Sequence, residues 1–162
     1  MMAKSKTLKV CHVNVRSMVT TGHLVELNIL SSVNDIDILC VAETWLSQER
    51  IKEGASMINI PGFLPLFRRD RTKKRGGGVA VFVRFGLIVS PLQLCSDLEA
   101  VGIELHLPKK RKLNIISDYC APSGNLEELS SFISNLDTVL TNLKPSSNIT
   151  CLVGDFNARL SH

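Results

Sequence analysis

The sequence predicts a single mixed α/β domain in which helices cover β-sheets. Short runs of β-branched and apolar residues recur along the chain, and several are continuously apolar, as in strands of a sheet covered on both faces. Between them lie two segments whose apolar residues recur at helical spacing. With 162 residues, 44% hydrophobic and 21% charged, the chain has the size and composition of one domain with a sizeable core.

Six segments are predicted as strands from their β-branched and apolar content. They are residues 8–15, 36–42, 77–85, 100–107, 113–119 and 148–155. Long loops are expected at Ser47 to Thr72 and at Ser117 to Asn125. Neither loop has the composition of an interdomain linker, so the strands belong to one domain.

Two helices are predicted between these strands. The first lies near Gly22 to Val33 and should pack through its apolar face, which consists of Leu24, Leu27 and Leu30. The second covers residues 125–143, where eight apolar residues recur at helical spacing. Asn125 is expected to cap this helix, and Pro145 lies just beyond its end.

Composition excludes several classes of protein. The five cysteines contain no CxxC pair and the four histidines are scattered, which favours reduced thiols in an intracellular protein over a disulfide framework or a zinc site. No run approaches the roughly 18 apolar residues of a membrane span. The net charge of +4 fits a polyanionic partner without requiring one. We expect a cytoplasmic or nuclear location, because the basic run at residues 68–75 could serve as a localisation signal.

Polar side chains follow three predicted strands at the point where each strand ends. They are Asn14, Glu43, and Asp155 with Asn157. Carboxylate and amide oxygens are what Mg²⁺ prefers, and Asp155 and Asn157 should point the same way on extended chain, so that one orients a water and the other contacts a phosphate. Taken singly, each residue is more often a turn former or a helix N-terminal residue. The repeated strand context favours a metal site for phosphodiester hydrolysis.

A glycine-rich segment with basic residues precedes the third strand, in the sequence TKKRGGGVAV at Thr72 to Val81. Its three glycines lack the spacing of a Rossmann or Walker loop, so a nucleotide cradle is not favoured. The expected role of this segment is a flexible turn or hairpin arm.

In several segments, the sequence resembles the endonuclease domain of non-LTR (LINE-type) retrotransposons, a branch of the endonuclease/exonuclease/phosphatase superfamily. The matching pieces, in family order, are NVRSM at Asn14 to Met18, DILCVAETWL at Asp37 to Leu46, RGGGVAVFVR at Arg75 to Arg84, DYCAPSGN at Asp118 to Asn125 and LVGDFNAR at Leu152 to Arg159. The resemblance implies an α/β fold, the four-layer α/β/β/α sandwich (DNase I-like). It also implies nicking of one DNA strand to leave a 3′-hydroxyl that primes reverse transcription.

The resemblance assigns roles to individual residues. Glu43 and Asn14 would bind the metal, Mg²⁺ or Mn²⁺. Tyr119 would contact the scissile phosphate or its leaving oxygen, Asp155 would align or activate the attacking water, and Asn157 would hold a phosphate oxygen or the catalytic carboxylates. The family often places an arginine after this tyrosine, but here Cys120 follows, so an arginine contact to DNA is not expected there.

The sequence also departs from the family after LVGDFNAR. The family continues to a Ser-Asp-His motif that this sequence lacks, and His162 follows Asp155 too closely to be that histidine. We therefore expect residues 8–162 to form a domain without its C-terminal part, after a short tail at residues 1–7. An incomplete second sheet would favour association between copies, and loss of the histidine would slow catalysis by roughly 10²- to 10⁴-fold.

DNA is the expected partner, with a reverse transcriptase in a longer parent chain. The predicted DNA-backbone contacts are Arg68, Arg69, Arg71, Lys73, Lys74 and Arg75. Lys109 to Lys112 are equally well explained as a DNA contact or as a solvated loop. Two alternatives to a DNA nuclease stay open: a non-catalytic nucleic-acid-binding remnant, and an enzyme acting on a phospholipid, inositol phosphate or poly(A) tail.

Overall fold

Two four-stranded sheets pack face to face between two helices in the computed structural model, which describes residues 7–47, 58–72, 76–95, 97–122, 125–143 and 149–157. The strands are β1 Val10–Asn14, β2 Ile38–Ala42, β3 Phe67–Arg69, β4 Val79–Val83, β5 Ile88–Leu92, β6 Ala100–His106, β7 Lys112–Tyr119 and β8 Ile149–Asp155. The helices are α1 Thr21–Val33 and α2 Leu126–Leu143, and a 3-10 turn spans Pro108–Lys110.

The first sheet has the strand order β1-β2-β4-β3. Strand β1 runs parallel to β2, whereas β4 is antiparallel to both of its neighbours. All ten residues of β2 and β4 are buried, because side chains alternate between two covered faces. Leu39 and Val41 face α1, and Ile38 and Cys40 face the second sheet. This two-sided burial explains the continuously apolar sequence of these strands.

The second sheet has the order β5-β6-β7-β8. Its first three strands are antiparallel, and β8 runs parallel to β7. Ile103, Leu105 and Ile115 face the first sheet, whereas Ile116 packs under α2. Among the described strands, β8 lies at an edge, and its residues are half-exposed apart from exposed Ile149. Among the described strands, β8 therefore pairs with β7 alone.

The layers follow the order α1, first sheet, second sheet, α2, which confirms the predicted four-layer sandwich. Helix α1 packs through buried Leu27 and half-buried Leu24 and Leu30, as predicted. The predicted cap of α2 is present, because Asn125 Oδ1 accepts a hydrogen bond from the Glu127 N–H at 2.9 Å. The two helices thus cover the outer faces of the two sheets.

Two strands were not predicted from the sequence. Strand β3 lies inside the segment expected to be a loop, Ser47 to Thr72, and its three residues are too short for an alternating pattern to be visible. Strand β5 contains Pro91, which normally argues against a strand. Here β5 is an edge strand, where a missing N–H need not cost a ladder hydrogen bond.

All five cysteines lie in the described part of the chain and are free thiols, with Cys40 and Cys120 buried. Neither helix among the described residues is long and apolar enough to span a membrane. The expected tail at residues 1–7 lies outside the described residues except for Thr7. His162 also lies outside them.

Candidate active site

The ends of four strands meet at one rim of the sandwich. Strands β1 and β2 are parallel, so Asn14 lies beside the end of β2, from which Glu43 follows directly. Strands β7 and β8 are parallel too, and their last residues, Tyr119 and Asp155, are paired. Because the two sheets face each other, these four side chains converge, as expected of residues at the carboxyl ends of parallel strands.

Both carboxylate oxygens of Glu43 accept hydrogen bonds from side chains. Oε1 accepts from the Tyr119 hydroxyl at 2.9 Å and from Asn14 Nδ2 at 3.2 Å. Oε2 accepts from Trp45 Nε1 at 3.2 Å. Glu43 and Trp45 both have a φ of +55°, a left-handed conformation that costs energy in residues other than glycine. The chain thus turns sharply after β2 and presents the Glu43 carboxylate at the rim.

Asn14 joins the two sheets across the site. Its Nδ2 donates to Asp155 Oδ2 at 2.8 Å as well as to Glu43, and its Oδ1 accepts from the Arg16 N–H at 3.1 Å. In this arrangement the Asn14 amide nitrogen lies between the two carboxylates. Asn14 therefore holds the two acids together, and its direct ligation of a metal stays a prediction.

Asp155 and Asn157 are not on one extended strand as expected. Strand β8 ends at Asp155, and Asn157 has a φ of +43°, in the left-handed region. The Asn157 N–H donates to Asp155 Oδ1 at 3.3 Å, and Asn157 Nδ2 donates to the Cys120 carbonyl at 2.9 Å. The expectation that alternation on a strand orients both side chains was wrong. Asn157 instead ties Asp155 to the chain that follows β7.

Tyr119 is a buried hydrogen-bond donor in this site. Burial raises the pKa of its hydroxyl, and the hydrogen bond to the Glu43 carboxylate raises this pKa further, with Arg71 acting in the opposite direction. The hydroxyl is therefore protonated at neutral pH and donates to Glu43. The Arg71 guanidinium carbon lies 5.3 Å from the centre of the Tyr119 ring, within the range of a cation–π contact.

The predicted basic cluster is divided by the structure. Arg68 pairs with Asp70 at 3.4 Å, and Arg71 pairs with Glu99 at 2.6 Å. Arg69 is exposed. The other three predicted contacts, Lys73, Lys74 and Arg75, lie outside the described residues. Arg68 and Arg71 are therefore both engaged by acidic side chains.

The second basic stretch, Lys109 to Lys112, lies at the opposite end of the second sheet. Lys112 begins β7, whereas Tyr119 ends it, which separates the two by roughly 23 Å along an extended strand. Lys112 Nζ contacts Glu104 Oε1 at 2.6 Å. The structure does not bring this stretch to the rim.

Trp45, Glu99 and His12 also lie around the site, although no pattern in the sequence selects them. His12 precedes Asn14 on β1, and its Nε2 is buried without a hydrogen-bond partner. Burial lowers the pKa of His12, and the nearby Asp155 opposes this shift. The glycine run was expected to be flexible, yet Gly77 and Gly78 are buried against side chains of the site.

The donor set suits a hard divalent cation. Glu43 and Asp155 supply carboxylate oxygens, and the amide of Asn14 lies beside both. Mg²⁺ takes one or two carboxylates and completes its octahedron with water and substrate oxygens, so these residues fit Mg²⁺ or Mn²⁺. In the part of the chain that the structure describes, no group of three or more histidine, cysteine and acidic side chains could enclose a metal. An open site with few protein ligands is the arrangement that the geometry allows.

The model of the Endonuclease/Exonuclease/phosphatase family matches residues 12–162. No curated protein matches significantly in sequence.

Three solved structures illustrate the similarity of fold. The endonuclease domain of TRAS1, a telomere-specific non-LTR retrotransposon, has a TM-score of 0.66 at 18% identity over 95% of this chain and 61% of its own. The AP endonuclease LMAP from Leishmania major has a TM-score of 0.66 at 19% identity over 87% of this chain and 49% of its own. D. rerio TDP2 complexed with a single strand DNA product has a TM-score of 0.59 at 18% identity over 94% of this chain and 61% of its own. The chain thus spans less than two thirds of each structure.

Proposed function

The chain belongs to the endonuclease/exonuclease/phosphatase family, and on that premise we propose that it is a metal-dependent DNA-nicking domain of the non-LTR retrotransposon branch. Phosphodiester hydrolysis is the chemistry of its ancestry. The observation that carries the proposal is the convergence of Glu43, Asn14, Tyr119 and Asp155 from both sheets, with hydrogen bonds of 2.8 to 3.2 Å between them. A purely structural role would not require two carboxylates to share one amide at an exposed rim.

Glu43 is the residue we assign to metal binding, with Asp155 and Asn14 beside it. When bound, Mg²⁺ or Mn²⁺ supplies Lewis-acid stabilisation of the negative charge on the phosphate. The protein orients the ligand in advance, because Tyr119 and Trp45 each fix one oxygen of Glu43. Such preorganised neighbours raise metal affinity and activity by restricting the ligand to one orientation.

The other residues act on the water and on the phosphate. Water attacks the phosphorus atom, the bond from phosphorus to O3′ breaks, and the 3′ oxygen takes a proton from solvent to become a 3′-hydroxyl. Asp155 is placed to accept the proton from the attacking water. Tyr119 stays protonated and can turn its O–H from Glu43 to a phosphate oxygen.

DNA as substrate is supported by two similar structures, an AP endonuclease and TDP2 complexed with a single strand DNA product. The retrotransposon branch is supported by the TRAS1 similarity and by the sequence motifs. A reverse transcriptase partner is part of the same proposal.

The test is nicking of supercoiled plasmid by the purified 162-residue chain with Mg²⁺ or with EDTA. Asp155→Ala and Glu43→Ala should abolish nicking. Glu104→Ala is the matched control, because Glu104 is an acid of the second sheet that pairs with Lys112 away from the rim. Nicking that persists in EDTA, or in both site variants, would contradict the proposal.

The same assay separates the alternatives. Plasmid binding without nicking would support a non-catalytic nucleic-acid-binding domain. Release of phosphate from inositol phosphates or shortening of poly(A), without nicking, would move the substrate to those classes.

A further inference from the structure

The glycine run before β4 packs against the segment that carries Glu43. Gly76, Gly77 and Gly78 all have a positive φ. A Cβ on Gly78 would overlap Thr44 Oγ1, and a Cβ on Gly77 would overlap the side chains of Glu99 and Arg71. Only glycine adopts this backbone at such close approach without strain.

Backbone hydrogen bonds fasten this run to the Glu43 segment. The Gly78 carbonyl accepts from the Thr44 N–H at 3.1 Å, and the Gly77 carbonyl accepts from the Trp45 N–H at 2.9 Å. Trp45 then donates its indole N–H to Glu43 Oε2. The position of one Glu43 oxygen therefore depends on the glycine run.

Glu99 connects the glycine run to β7. Its Oε1 accepts the Gly78 N–H, and its Oε2 accepts from the Arg71 guanidinium, with Nε at 2.7 Å and a terminal nitrogen at 2.6 Å. The Glu99 carbonyl accepts from the Tyr119 N–H at 3.1 Å. The side chains of Arg71 and Glu99 are only 17% and 16% exposed, so this is a largely buried ion pair.

Arg71 completes the connection on the Tyr119 side. Its guanidinium lies over the Tyr119 ring, and the hydroxyl of that ring donates to Glu43 Oε1. The ion pair thus touches both supports of Glu43: Trp45 through the glycine run, and Tyr119 through its ring.

We propose that Arg71 and Glu99 form a positioning pair that fixes the Glu43 carboxylate, and that Arg71 is not a phosphate contact. Its charge is already matched by Glu99, and moving it to DNA would leave a buried carboxylate unpaired, which is costly. The effect on nicking rests on the proposed function, but the effect on Trp45 does not.

The test uses Arg71→Met, Arg71→Lys and Glu99→Gln in the 162-residue chain. Arg84→Met is the matched control, because the Arg84 guanidinium lies 5.4 Å from the centre of the Phe63 ring and also pairs with acids, away from the site. The first readout is the indole N–H resonance of Trp45, the single tryptophan, in a ¹⁵N–¹H spectrum. We expect it to shift in all three Arg71 and Glu99 variants and to stay unchanged in Arg84→Met.

The second readout is calorimetric titration with Mn²⁺ alone, and the third is plasmid nicking resolved into kcat and KM. We expect Mn²⁺ affinity and kcat to fall roughly 10- to 100-fold in Arg71→Met, as for other residues that orient a metal ligand. KM for DNA and the salt dependence of DNA binding should not change. Arg71→Lys should lose kcat as well, because lysine keeps the charge but not the planar fork.

Opposite results would overturn the proposal. A phosphate contact predicts that Arg71→Lys is active and that Arg71→Met lowers the salt slope by about 0.9, with the Trp45 resonance unmoved. An equal shift of the Trp45 resonance in Arg84→Met would show that Arg71 and Glu99 affect Trp45 only through the overall stability of the fold. If the wild-type chain does not nick DNA, the proposed function fails, while the Trp45 resonance still decides the positioning role. If Arg71→Met does not fold, Glu99→Gln provides the same comparison.

Discussion

Two arginine–aromatic pairs lie at opposite ends of the first sheet and differ in what they hold. Arg84 follows β4 at the end where β2 begins, and its guanidinium donates to the Ile36 carbonyl at 2.6 and 2.9 Å. Arg71 lies at the end where β2 finishes, and its partner Glu99 binds Gly78 and Tyr119 beside Glu43. The chemistry is the same, but one arginine secures backbone and the other supports a site.

The contrast extends to the acids at the two ends. Asp37, at the beginning of β2, is 2% exposed and accepts a hydrogen bond from the Lys9 N–H, so its role is structural. Glu43, beyond the end of β2, accepts hydrogen bonds from the side chains of Asn14, Trp45 and Tyr119, which a metal or a water can replace. Asp37 thus secures backbone, whereas the side-chain donors on Glu43 can be exchanged for a ligand.

The largest expected effect is that of Glu43→Ala. We expect loss of Mg²⁺ binding and a fall in nicking of about 10³-fold or more, because the variant removes the residue that we propose as the principal metal ligand. The fold should stay intact, since the hydrogen-bond partners of the Glu43 carboxylate among the described residues are side chains and not backbone groups. Calorimetry and circular dichroism would check this. Unchanged Mg²⁺ binding would remove Glu43 from the site.

Tyr119→Phe should have the next largest effect. It keeps the ring under Arg71 but removes the hydroxyl that donates to Glu43 Oε1. We expect kcat to fall roughly 10- to 100-fold, with little change in KM for DNA. Steady-state nicking would measure both. An unchanged kcat would show that the hydroxyl contributes neither to Glu43 nor to the phosphate.

Arg84→Met should affect stability alone. The variant leaves the Ile36 carbonyl without its side-chain donors and Asp37 without its Arg84 contact, so we expect a loss of about 2 kcal/mol in the free energy of unfolding. Nicking per folded molecule should equal that of the wild type. Urea denaturation would measure the loss. A fall in kcat would contradict the prediction that Arg84, unlike Arg71, does not affect the site.

Asp118→Asn should also affect stability alone, and by an amount that depends on pH. Asp118 is fully buried with Oδ2 unpartnered, and burial raises its pKa from 3.8 to about 6. Because the folded pKa is raised, the folded chain binds the proton more tightly, and stability falls as pH rises from about 4 to about 6. Removing the charge should therefore stabilise the chain at pH 8 by about 1–3 kcal/mol.

The gain from Asp118→Asn should be far smaller near pH 4, where the carboxyl is protonated in the folded state and about half protonated in the unfolded state, whose pKa is 3.8. Urea denaturation at pH 4 and pH 8 would measure it. Equal effects at both pH values would mean that the buried charge is not their cause.

Much of this end of the molecule could be predicted from the sequence, because Asn14, Glu43 and Asp155 each end or follow an apolar strand, and the family resemblance adds Tyr119. Their approach then follows from parallel pairing. Asn157 could not be placed, since its left-handed backbone overrides strand alternation. The pairing of Arg71 with Glu99 spans 28 residues between two loops, and no local pattern records it. The packed glycine run depends on the same long-range contacts.

The hydrogen bond from Asn14 to Asp155 has a consequence for the timing of activity. It joins residues 141 positions apart, so one carboxylate is synthesised with the last described strand and its partner with the first. Contacts of such separation form late, after the entropy of closing the intervening chain has been overcome. On a ribosome, the nascent protein therefore carries no assembled site until β8 has emerged and paired.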